Sequence, residues 1–164
     1  MPVLTHGALT LTSHDTTWPA KFNTNAQLLD VMVAGGAPIR VYANEALAVG
    51  DCVYILGRYA AGSYPTVTVG KADADLSSHM PAIGVIETAL SINGEGWARA
   101  HGIAILGSIA FPAGALLVVG TDGQITWSGQ GNYPASGDYK QIVGVGMVTG
   151  YAWLDFNLRL EQVP

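Results

Sequence analysis

Apolar residues follow two different rhythms along this chain. Within residues 1–37, Phe22, Ala26, Leu29 and Val33 recur at spacings of four, three and four, which places them on one face of a helix. Asp15, Thr16 and Thr17 supply N-cap chemistry ahead of Trp18 and Pro19, and Gly35-Gly36 with Pro38 end the segment. From Ile39 onward the rhythm changes. The stretches IRVYA, DCVYILG, TVTVG, AIGVIETAL, GWARAHGIAIL, ALLVVG, QITWSG, QIVGVGMVTG and YAWLDFNLRLEQ are short and rich in Val, Ile, Tyr and Trp. Gly, Pro, Asn and Asp punctuate them, as they do strands. WARAHGIAI and YAWLDFNLRL alternate, which predicts strands with one face in and one face out. AIGVI and IVGVGMV do not alternate, which predicts strands covered on both faces. Gly120-Thr121-Asp122-Gly123 predicts a hairpin turn, because Asp-Gly supplies the positive φ such turns need.

These patterns predict a mainly β protein, an antiparallel β-barrel or β-sandwich, with an N-terminal arm containing one short helix. The arm spans residues 1–37 and the β domain residues 38–164. The β region also echoes itself. ALAVGDCVYILG, PAIGVIETAL and GWARAHGIAIL are followed by FPAGALLVVG, QIVGVGMVTG and YAWLDFNLRL in the same order. Gly50 and Gly84 then match Gly114 and Gly144, and Trp97 matches Trp153. Internal duplication and chance similarity among Val/Gly-rich strands account equally well for this echo.

Composition changes the picture in one respect. Charged residues make up only 12% of the 164 positions while apolar residues make up 49%, against roughly 25% charged in ordinary globular proteins. Such a surface is expected to be buried against other copies or partners. The apolar stretches break at Gly, Pro or Asp short of a membrane span. The opening MPVLTHGALT has neither a basic nor a continuous apolar region, so no signal peptide is expected. The net charge is −5 and the seven Lys and Arg are scattered, which argues against nucleic acid as a partner. Cys52, the single cysteine, reads as a buried small hydrophobe.

Candidate chemistry is thin. In ADADLSSHMPAIGVIE, Asp73, Asp75 and His79 have the residue types of a metal or acid/base site. They lack the convergent spacing of a zinc site or the glycine and distant glutamate of a calcium loop. The expected role is a polar loop leading into a strand. His6, His14 and His101 form no ligand pair. The carboxylates Glu87, Glu95, Asp138 and Asp155 offer pairs of the sort any acidic chain provides. No catalytic, cofactor-binding or metal residues are therefore assigned. Trp97, Trp127 and Trp153 could together stack on sugars, the feature behind an alternative reading as a carbohydrate-binding module.

The run from Val41 to Leu160 resembles a β domain of tailed-bacteriophage structural proteins, both head decoration or fibre proteins and tail-fibre modules. The resemblance rests on VYANEALAVGDCVYILG, YPTVTVGKADADLSSHMPAIGVIE, HGIAIL, FPAGALLVVGTDGQITW and QIVGVGMVTG with WLDFNL. It follows a Gly-Asp-x-Val-Tyr strand, an Ala-Asp loop, Pro-Ala-Ile-Gly-Val and Val-Gly-x-Val. The run LLVVG departs from the Leu-Tyr-Val-Ser of that pattern. TTWPAKFNTNAQLLD is similar to openings of phage tail and fibre proteins. The resemblance implies a non-enzymatic virion protein. Capsid decoration is the first reading and a tail-fibre or tail-tip component the second. It further implies a homo-oligomer, expected to be a trimer, that binds the major capsid protein on the capsid surface after assembly in the host cytoplasm. In this reading Trp18, Phe22, Leu29 and Val33 anchor an attachment arm; the alternative is that the helix packs on its own β domain.

Overall fold

In a computed structural model, residues 38–59, 66–156 and 161–163 are described, all within the unit Ala37–Pro164. The expected helix, its anchors Trp18, Phe22, Leu29 and Val33, and His6 and His14 lie outside the described residues.

The described residues form a mainly β structure. Strands β1 (Ile39–Ala43), β2 (Cys52–Tyr59), β3 (Thr66–Lys71), β4 (Ala82–Ile86) and β5 (Glu95–Arg99) close a barrel in the order β1-β3-β2-β4-β5. Strands β6 (His101–Ile105), β7 (Leu116–Val119), β8 (Ile125–Trp127), β10 (Ile142–Val148) and β11 (Tyr151–Asp155) form an open antiparallel sheet ordered β6-β11-β10-β7-β8. The short strands β9 (Tyr139–Lys140) and β12 (Glu161–Gln162) pair with each other. The expected Gly120–Gly123 hairpin joins β7 to β8. Gly123 has φ 78, and Asp122 Oδ1 accepts from Gln124 N at 3.0 Å.

The echo in the sequence is a repeat of topology. Numbering five strands within each half, both follow the order first, fifth, fourth, second, third, every neighbouring pair antiparallel. The first half closes because β1 also pairs with β3, in parallel. The glycines mark equivalent points. Gly50 N donates to Ile86 O at 2.8 Å and Ile86 N to Asp51 O at 2.9 Å; Gly114 N donates to Gly146 O and Gly146 N to Ala115 O, both at 2.8 Å. Gly84 and Gly144 sit where the next strand passes close, tightly at the first and too closely for any side chain at the second. A Cβ would lie 3.1 Å from Arg99 O at the first and 2.2 Å from Trp153 O at the second. This register corrects one match. Arg99, not Trp97, is equivalent to Trp153.

Two cores result from the pleat. Val41, Ala43, Leu47, Val53, Val69, Ile86 and Ala98 fill the barrel. A second cluster packs Cys52, Ala82, Val85 and Ala100 of the first half against Ala104, Leu117, Val119, Val143, Ala152 and Leu154 of the open sheet. Cys52 is fully buried, as expected, and burial pushes its thiol pKa up, with the Asp51 and Asp122 carboxylates adding to the shift. Buried Gln141 joins the two layers. Its Oε1 accepts from Ala82 N and its Nε2 donates to Ala82 O, each at 2.8 Å, so it serves β4 as a short length of neighbouring strand would.

Candidate functional site

The loop holding Asp73, Asp75 and His79 is built as a structural corner. Ala74 N donates to Gly120 O at 3.2 Å, and Ala74 O accepts from Tyr139 N at 2.7 Å, tying the loop to the β7–β8 turn and to β9. His79 ends a 3-10 turn, Ser77–His79, and its ring stacks on Tyr54 with centroids 4.8 Å apart. Asp73 Oδ1 accepts from Asp75 N at 3.2 Å. Among the described residues, no group of three or more His, Cys, Asp or Glu is arranged to hold a metal ion.

Partial burial raises the Asp73 carboxyl to about 6, with the adjacent Asp75 carboxylate adding to the shift. The folded state therefore holds this proton more tightly than the unfolded chain, whose ordinary value is 3.8. Its contribution to stability must fall as pH rises from about 4 to about 6, and is constant above that. Asp73→Asn is expected to be more stable than the wild type at pH 7, with the difference shrinking to nothing near pH 4. Thermal transitions across that range test it; a difference independent of pH would refute the assignment.

The remaining acids are engaged separately. Glu95 pairs with Arg40 at 2.5 Å, Asp138 accepts from Ala135 N at 2.7 Å, and Asp155 pairs with His101 at 3.1 Å on an exposed edge. Glu87 holds Arg99 Nε at 2.7 Å through Oε2 and accepts from Ile105 N at 2.8 Å through Oε1. The even-numbered residues of β6 face β11, as Leu106 N donating to Gly150 O shows, so the Ile105 amide points off the sheet edge. Glu87 thus caps an edge strand that could otherwise recruit another chain. Glu87→Ala is expected to cost about 2 kcal/mol, since a charge-assisted bond and an ion pair are lost together. It should also speed hydrogen exchange at Ile105. Unchanged exchange there would show that the edge is protected by something else.

The tryptophans do not share a platform. Trp127 packs edge-on to Phe111 with centroids 5.6 Å apart, against the core. Trp97 is 56% exposed on the barrel strand β5, whereas Trp153 is 49% exposed on β11 of the open sheet.

What the structure does bring together is an apolar sheet face. β6 and β11 alternate as predicted, turning Gly102, Ala104, Ala152 and Leu154 inward and Ile103, Ile105, Tyr151 and Trp153 outward. Cross-strand register aligns Ile103 with Trp153, Trp153 with Val145, and Val145 with Leu116, a ladder across four strands. Ile142, Met147 and Val148 extend it, making nine exposed large apolar residues on one sheet. This corrects the expectation that IVGVGMV is covered on both faces. Only β4, its equivalent in the first half, is covered that way, because the open sheet lies over it. At roughly 90 Å² for each half-exposed side chain, the face presents on the order of 800 Å², more than the ~300–600 Å² of the largest patch on a typical monomer. His101 and Asp155, at one end, are its only ionisable border groups within these five strands apart from the Tyr151 hydroxyl. Among the described residues, no helix is long and apolar enough to cross a membrane.

Among the described residues, barrel and open sheet make a β protein that carries an extended, uncharged apolar face. Set against known proteins, the chain matches no family model, no curated protein and no solved structure.

Proposed function

We propose that this chain is a non-enzymatic structural protein of a tailed-bacteriophage virion, a decoration protein that self-associates and covers the capsid surface. The observation that carries the reading is the apolar face of the open sheet. Taking apolar surface out of water is the main favourable term in most protein association, and a face of this size suits a protein that works by assembling. The low charge of the whole chain points the same way, and many copies on a repeating lattice add avidity to weak individual contacts. A tail-fibre or tail-tip component would use the same physics at a different place in the particle.

The test is co-sedimentation of the purified chain with phage heads that lack it and, separately, with tails. Saturable binding to heads, with a rise in their thermal stability, is the expected result. Binding to tails alone would move the protein to the fibre. Binding to neither, together with a saturable change in tryptophan fluorescence on adding sugars, would favour a carbohydrate-binding module instead.

A further inference from the structure

We infer that the apolar face of the open sheet is covered by the same face of another copy of this chain, so that like faces meet in a closed homo-oligomer. This rests on the reading of the protein as an assembling one, and names the partner of that surface.

Area is the first reason. A face on the order of 800 Å² equals the share one partner contributes to a standard stable interface. Chemistry is the second. Across β6, β11, β10 and β7 the outward residues Ile103, Trp153, Val145 and Leu116 are uncharged, and an exposed polar contact, His101 with Asp155, stands only at the border. A charged partner would find nothing to match there, whereas a second identical face is complementary by being apolar. Stacked sheets pack about 10 Å apart through interdigitating apolar side chains. The opposite face of this same sheet already makes such a contact with the barrel.

The edges are the third reason. At one edge, Glu87 takes the Ile105 amide. At the other, β8 is met by the first half, where Ile125 N donates to Gly50 O at 3.0 Å and Asp51 bridges to Gln124. These contacts at both edges work against strand addition, which would extend into fibres, and favour face-to-face stacking. The difference between the halves is a fourth. At the place of Trp153, the first half carries Arg99, ion-paired to Glu87. The same topology thus presents a charged residue in one half and an aromatic one in the other.

The experiment is light scattering of the full chain at micromolar concentration. The expected mass is twice the 17.1 kDa of one chain, since like faces meeting close as a pair. Trp153→Glu and, separately, Leu116→Glu should each reduce it to the monomer while keeping the wild-type circular dichroism. Leu116, 56% exposed near the other side of the face, decides the matter if the Trp153 variant does not fold. Val145→Cys, near the centre, should couple copies through a short thiol cross-linker, while Ile92→Cys on the barrel loop should not; native Cys52 is buried and does not compete. A monomeric wild type, a multimer whose mass survives both glutamates, or a multimer in which Val145→Cys fails to couple each overturns the inference. Head binding is scored separately. A monomer that still binds heads sinks this inference alone, and a face-dependent oligomer that binds neither heads nor tails sinks the virion reading alone.

Discussion

Replacing Gln141 with alanine is expected to lower the unfolding free energy by about 4 kcal/mol, because two buried backbone groups each lose a partner at about 1–3 kcal/mol and a cavity opens beside them. Gln141 is fully buried, and its amide satisfies both the N–H and the C=O of Ala82. Ala82 lies opposite Tyr54 of β2, next to a shift in the β2–β4 register, and both of its backbone groups turn to the Gln141 amide. Gln141→Leu separates the two contributions. It fills most of the volume but takes the amide from the Ala82 N–H and C=O, and should still cost about 3 kcal/mol. Urea denaturation of the three proteins makes the measurement. If leucine were as stable as glutamine, the polar clamp would be dispensable and packing alone would join the layers.

Lys71→Ala is expected to cost about 3 kcal/mol, the lower end of the range for removing one partner of a buried ion pair. Asp51 has no exposed surface. Its Oδ2 accepts from Ala48 N at 2.8 Å and meets Lys71 Nζ at 3.0 Å, and its Oδ1 has no hydrogen-bond partner. Without Lys71 the carboxylate stays buried and uncompensated. The reverse change is milder, because Lys71 is 34% exposed and can turn its ammonium to water once Asp51 is gone. The Lys71 stem also packs over the hairpin, where a Cβ on Gly123 would lie 2.3 Å from Lys71 Cγ. Lys71→Met keeps that packing, and combined with Asp51→Leu should recover most of the loss. A double-mutant cycle checks this. A Lys71→Ala variant within about 0.5 kcal/mol of wild type, a margin typical of inert surface changes, would mean that water reaches Asp51.

Local physics was legible in the sequence. The alternation of HGIAI and YAWLD fixed which residues of β6 and β11 point inward, since the strand period is two whatever the fold. Asp122-Gly123 announced its hairpin because few residue pairs accept that turn. The polar corner ADADLSSH read as a loop, and the paired glycines Gly50 with Gly114 and Gly84 with Gly144 hinted at a repeat. Positive φ at Gly50 and Gly114 and close strand approach at Gly84 and Gly144 favour glycine in both halves, so the echo had a steric cause. Tertiary structure decided the rest. The first half closes because β1 finds β3 in parallel, a pairing between segments whose sequences carry no mark of it. The run IVGVGMV resembles AIGVI, yet the open sheet covers β4 and leaves the outward residues of β10 exposed. Burial depends on which surface lies opposite, and a strand's own residues do not record that. The apolar face has the same origin. Ile103, Val145, Leu116 and Trp153 are far apart in the chain, and only the register of four strands sets them side by side.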